Sequence, residues 1–245
     1  MGDRKQIIQL IRDGKYFVKF VRKHGHQIDV MNGDLLVRPL RWFARSPLKG
    51  IGNPFTGRVD GKGTLYSKLP SEGKFTKVAD FDSMQQDLDL PAFCLFNWCT
   101  INSNKGQSTF YVPTTMYTQF GEFLVFISQD EFIERIMKLT KDKVPFTLKS
   151  IQYNDMEFTK TEKHDIFTGK SFAHIFSDMK DNAHMQEVRL IFHIKYDNFI
   201  KLDFVHKAKG IDIKDGCIIK LGKFKEKLTN IEFKMGTSSE INGKK

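Results

Sequence analysis

Three cysteines, seven prolines and two tryptophans are few for a chain of 245 residues. The cysteines, Cys94, Cys99 and Cys217, are odd in number and widely spaced, which excludes the disulfide framework of a small secreted domain. Cys94 and Cys99 have no second pair to complete a zinc site, and none of the seven histidines stands in a His-Glu-x-x-His pattern, so no metal is expected. His24 and His26 would share one face of a strand, again without a second pair. Asp80, Asp82, Asp87 and Asp89 read as a polar loop and helix start. No apolar run is long enough for a membrane span, and the N-terminus begins charged rather than as a leader. These absences predict a reducing, cytoplasmic setting with no membrane partner.

Phosphate-cradling loops are missing as well. Gly50-x-Gly52 and Gly61-x-Gly63 precede no helical pattern, and Gly169-Lys170-Ser171 lacks the upstream glycines whose amides would surround a phosphate. There is no Gly-x-Ser-x-Gly nucleophile elbow.

What the chain does have is phenylalanine and positive charge. Its 23 phenylalanines carry no polar handle and belong in a core or an interface. With 40% hydrophobic residues the chain can bury a real core. The formal charge is +10, and the first 50 residues alone hold 11 basic and 4 acidic side chains. A basic surface favours anionic partners: nucleic acid, nucleotides or an acidic protein.

Strand patterns outnumber helical ones. The expected fold class is α+β, with a mainly antiparallel central sheet and a few flanking helices. One domain should span 1–236, with a Gly/Pro-rich excursion at about 45–75 and a disordered tail at 237–245. Residues 3–12 read as a short amphipathic helix and 16–21 as a strand. Residues 27–38 read as a hairpin around an Asn32-Gly33 type I′ turn. Strands are expected at 93–101, 122–127 and 144–153, with 102–108 a turn or loop. Ser128 and Glu131 form a capping-box pattern ahead of Phe132, Ile133, Ile136 and Met137 at helical spacing, with an end near Lys141. Residues 154–170 show no clear pattern. From Glu187 onward antiparallel strands are expected, with turns at Asp197-Asn198 and Asp215-Gly216 and an edge strand at 229–235.

Polar residues in three separated segments could converge. The first offers Lys19 and Arg22. The second holds Arg38, Arg41 and Arg58, and the third holds Glu187 and Arg189. One reading is a cleft in which Arg22, Arg38, Arg41, Arg58 and Arg189 hold an anion, since arginine grips phosphate bidentately, and Glu187 is the lone catalytic acid. The other is an internal Glu187–Arg189 or Glu187–Arg41 ion pair that steadies the sheet. A separate set, Lys214, Lys220, Lys223, Lys225 and Lys227, could line a basic face for nucleic acid, with Tyr16, Trp42 or Phe43 as stacking platforms.

The segment from Leu36 to Arg58 and the late Gln186-Glu187-x-Arg189 element together resemble a loose class of bacterial and phage proteins of uncharacterised activity. Through them the chain resembles ADP-ribosyltransferase-like folds. That resemblance implies NAD or another nucleotide as ligand, Glu187 as the residue supporting charge at the ribose, and Lys19, Arg22 or Arg38 as the early basic residue. Ser46 and Tyr66 are the weak candidates for the middle residue, so the catalytic set is incomplete. The expected role is therefore an accessory protein of a phage or bacterial conflict system, without a cofactor. It would bind an anionic ligand or a host protein, for instance to inhibit host defence, and a homo-oligomer would suit such a role. An NAD-dependent transferase-like enzyme and a nucleic-acid-binding protein are the alternatives.

Overall fold

A computed structural model describes residues 7–9, 16–46, 57–68, 75–85, 87–97, 102–104, 107–141, 143–154, 157–225 and 231–236. In chain order the first elements are β1 (Ile7–Gln9), β2 (Tyr16–Val21), α1 (His24–Met31), β3 (Asp34–Pro39) and α2 (Leu40–Arg45). There follow β4 (Arg58–Lys68), β5 (Phe75–Gln85), β6 (Pro91–Asn97), β7 (Asn102–Asn104), β8 (Gln107–Pro113), α3 (Thr114–Phe120) and β9 (Phe123–Ser128). Next come α4 (Gln129–Thr140), β10 (Phe146–Ser150), β11 (Gln152–Asn154), α5 (Lys160–Phe167) and β12 (Ser177–Met179). The last are β13 (Glu187–Phe192), α6 (Tyr196–Phe199), β14 (Val205–Lys207), β15 (Cys217–Lys220) and β16 (Ile231–Gly236).

The fold is α+β. Among the described residues nine strands join in one curled sheet, antiparallel except where β1 lies parallel to β10. Its spine is β6, buried on both faces, as the apolar run Pro91–Asn97 requires. One edge of β6 pairs with β13 from Glu187↔Phe96 to Ile191↔Ala92. The other edge is shared. Its start pairs with β3 at Ala92, and its end pairs with β2 at Phe96 and Asn97. The sheet therefore forks, and among the described residues the fork leaves the Cys94 carbonyl without a strand beside it. The Lys19 ammonium fills that place, donating to Cys94 O at 2.7 Å and lying 4.7 Å from the centre of the Phe93 ring. A buried carbonyl needs such a partner.

The sheet curls around α4. Phe132 and Ile136 of this helix are buried among Phe17, Phe93, Leu95, Val188, Leu190 and Phe192, and the Phe132 ring meets Phe17 edge to face at 5.5 Å. Each buried phenylalanine contributes about 1.5–3 kcal/mol. Ser128 Oγ accepts the Glu131 amide, and Lys141 ends the helix in the left-handed region at φ 43°. On the opposite sheet face α3 covers Val18, Phe20 and Phe96. There α2 and the 3₁₀ turn Ala173–Phe176 cover Ala92 and Ile191.

Several sequence expectations are corrected. Ile7–Gln9 is a strand, not part of a helix, because β10 offers it an edge to pair with. Residues 27–31 belong to α1, so His24 and His26 lie on a helix and share no strand face. Asn32 is right-handed at φ −77°, and only Gly33 takes positive φ, at 82°. Gly33 is thus a helix stop rather than half of a type I′ turn. A methyl at Gly33 would overlap the Gly222 backbone, and Leu221 N donates to Gly33 O at 2.9 Å. The excursion holds one half of a long hairpin, β4 with β5, so Tyr66, Asp80 and Asp82 are strand residues. Residues 102–104 and 107–108 are strand rather than loop. Residues 160–167 form α5, opened by a Thr159–Glu162 capping box. After β13 the chain makes the short helix α6, not a strand from Phe199, and only Val205–Lys207 pairs. The turn before β15 runs from Asp212, whose carbonyl accepts both the Asp215 and Gly216 amides, so residues 210–213 are not a strand. The edge position of β16 is as read, beside β8 and parallel to it. Residues 47–56 and 69–74 of the excursion, residues 98–101 of the strand expected at 93–101, and the tail 237–245 lie outside the described residues.

Candidate functional site

Strand alternation decides where the late acid points. Val188, Leu190 and Phe192 face the main core, so Glu187, Arg189 and Ile191 face the other side. There Glu187 is 8% exposed and Arg189 3%. Arg189 Nε donates to Glu187 Oε1 at 2.6 Å and Nη2 to Oε2 at 3.3 Å. The same guanidinium donates to Ile175 O at 2.7 Å and lies 4.0 Å from the buried Asp178 carboxylate. Asp178 in turn accepts the Met179 amide at 2.7 Å and Asn182 Nδ2 at 3.1 Å. Tyr153 Oη accepts the Glu187 amide at 2.8 Å. Gln186, just before, is left-handed at φ 49°, and its carbonyl accepts the Asn97 amide.

The electrostatics follow from this packing. Burial pulls the Arg189 guanidinium down, but the charge and hydrogen bonds of Glu187 more than reverse it, with Asp178 adding to the upward shift. Burial, then the nearby Glu187 charge, pushes both the Cys94 thiol and the Tyr153 phenol up, so each stays protonated. Burial pulls the Lys19 ammonium down, against the pull of Cys94 and Glu187. Both oxygens of Glu187 are thus held by a buried cation, and a substrate would have to displace it.

The other predicted anion anchors lie apart from this pair. Arg38 stacks on Trp42, 3.8 Å from its ring centre, and donates to Asp215 O at 2.9 Å. Arg41 pairs with Asp89, donates to Lys214 O at 3.2 Å, and faces the Tyr196 ring. Arg22 donates to Gln119 O at 2.8 Å. Arg58 opens β4, opposite Gln85. The ion pair is therefore Glu187–Arg189, while Arg41 takes Asp89 instead. Trp42 already carries a guanidinium on its ring.

Three of the five lysines of the predicted basic face converge. Lys220, Lys223 and Lys225 line an open groove of about 1040 Å³ that also receives Lys138, Lys141 and Lys143 from the end of α4 and the loop after it. Arg135 of α4 makes the groove wall. It donates to the carbonyls of Leu221, Gly222 and Lys223, and it pairs with Glu131. Glu131 also accepts the Lys225 amide at 3.0 Å. Its carboxylate therefore tethers the chain rather than completing a capping box. Lys214 is not in the groove and pairs with Asp212 at 3.2 Å. Lys227 lies outside the described residues.

Sequence reasoning missed Asp178, Tyr153, Arg135, Lys138, Lys141 and Lys143. The run Lys138-Leu-Thr-Lys141-x-Lys143 was a visible signal. Nothing marked Asp178 or Tyr153, which meet through the parallel pair β11–β12. Among the described residues no group of three or more His, Cys, Asp or Glu side chains could hold a metal ion. No helix among them is long and apolar enough to cross a membrane. No protein-family model, curated protein or solved structure matches the chain.

Proposed function

We propose that this chain is a non-enzymatic accessory protein that acts by binding an anionic partner. The observation that carries this reading is the gathering of lysines from two distant segments, 138–143 and 220–225, on one open groove. The only acid that the sequence offered for catalysis, Glu187, is by contrast closed off by Arg189. A phage or bacterial conflict-system setting, and a role in inhibiting host defence, are supported by the sequence resemblance alone.

The test is a pair of titrations on the purified chain, one with inorganic polyphosphate and one with NAD. Polyphosphate should bind, and the affinity should fall steeply as salt is raised. NAD should be neither bound nor hydrolysed. NAD turnover that disappears in Glu187→Gln would overturn the reading and place the protein with the transferase-like enzymes. Failure to bind polyphosphate at low salt would also overturn it.

A further inference from the structure

The lysine groove is not uniformly basic, and its pattern of charge says more than its sum. Arg135 holds residues 221–223 and Glu131 holds the Lys225 amide, so this segment runs toward the N-terminus of α4. Lys220 consequently lies toward the other end, where Lys138, Lys141 and Lys143 stand. All six lysines are exposed. Among the described residues none of their ammonium groups is engaged in an ion pair with a groove carboxylate. Between these cations the lining is apolar and aromatic, with Leu139, Leu221 and Phe204. Phe204 rests edge to face on Phe199 at 6.1 Å and lines the groove. Three exposed carboxylates, Asp130, Glu134 and Asp203, line the same groove.

We propose that this groove binds single-stranded nucleic acid, with the lysines on the phosphates, Phe204 under a base, and the carboxylates receiving base amino groups. The proposal deepens the anionic-partner reading and rests on it. Lysines on flexible stems follow a phosphodiester chain as point charges and need no fixed fork geometry. An aromatic face in a cationic groove is the element on which an unpaired base stacks. The carboxylates decide between the two polyanion classes. An acidic peptide would bring like charge against Asp130, Glu134 and Asp203 and has no planar ring for Phe204. A nucleic acid strand carries its charge on the backbone and presents neutral N–H donors at its base edges, which carboxylates accept. A duplex buries its base faces within the stack, so the unpaired strand is the better fit.

Fluorescence anisotropy tests this with three probes: a mixed-sequence single strand of about 12 nucleotides, its duplex, which carries twice the charge, and a poly-glutamate peptide matched in charge to the single strand. The wild type should prefer the single strand. The K138Q/K141Q/K220Q variant should lose roughly tenfold in affinity and show a shallower salt dependence. K160Q/K163Q/K170Q, with the same charge change on α5 and just after it, should lose far less. Phe204→Leu should weaken single-strand binding with the salt slope unchanged, because the residue carries no charge. Cross-linking of a photoreactive strand should map to 138–143 or 220–225, which keeps the test intact if a variant folds poorly. Equal losses in the two triple variants, with cross-links elsewhere, would overturn the groove assignment. Preference for the duplex would overturn the single-strand assignment. Binding of poly-glutamate alone would overturn the inference and leave the anionic-partner reading standing. Binding of none of the three would end both.

Discussion

Two glutamate–arginine pairs sit on opposite sides of the same sheet, and they do different work. Glu187 and Arg189 are neighbours on β13, buried, with Asp178 as a second acid close by. Glu131 and Arg135 are one turn apart on α4, at the margin of the core, with side chains 16% and 17% exposed. In the first pair every strong contact is turned inward, and the guanidinium answers one carboxylate, one carbonyl and a distant second acid. In the second the charges are spent on the backbone of residues 221–225, which fixes that segment along α4 and leaves its lysine side chains facing water. The same two residue types close one region and open the other. Burial makes the difference, because a buried charge must be matched locally while a marginal one can tether a chain segment.

The strongest way to break this comparison is to remove one member of the buried pair. Glu187→Ala strands the Arg189 guanidinium, and urea unfolding should show a loss of about 3–5 kcal/mol. The D178N/E187M/R189L triple variant removes all three buried charges and should recover most of that loss. A neutral single variant would mean that Glu187 is not a structural partner. A smaller effect is expected at the marginal pair. Arg135→Ala frees three carbonyls and should cost about 2 kcal/mol in the same assay. Hydrogen exchange at the Lys225 amide should speed up, while the Glu187 amide keeps its protection. Equal exchange at both sites would show that the two regions are one cooperative unit.

The smallest effect concerns the fork. Burial holds the Lys19 ammonium below its ordinary value of 10.5. Between that lowered value and 10.5 the unfolded chain binds more protons than the folded one. Stability should therefore rise with pH across that window, and the cost of burying the charge is fully present below it. Measured against Lys19→Met, which cannot titrate, the wild type should gain stability as pH climbs toward 10.5. A difference that falls with pH would show that the Glu187 charge, not desolvation, governs Lys19.

Much of the sheet was legible because its signals are local. The apolar run at Pro91–Asn97 and the stretch from Tyr16 to Val21 have only one comfortable place, inside a sheet. The Ser128 cap and the spacing of Phe132 and Ile136 announce α4. The capping pattern Thr159–Glu162 is equally local, but the helix behind it is polar on most sides and shows no hydrophobic period. Asn32-Gly33 misled because the dipeptide suits both a hairpin and a helix end. The approach of Gly222, almost two hundred positions away in the chain, selected the latter.

The sequence by itself determined the α+β class, the core strands, the main helix and the net positive charge, since hydrophobic period, caps and composition act over a few residues. Only the tertiary structure decided which charges meet. Packing chose the local Glu187–Arg189 pair over Glu187–Arg41, and the parallel pair β11–β12 brought up Asp178 and Tyr153. The hold of Arg135 on 221–223 gathered lysines from both segments on one groove. The contacts of Tyr153 and of Arg135 join groups far apart in sequence, which no local pattern encodes.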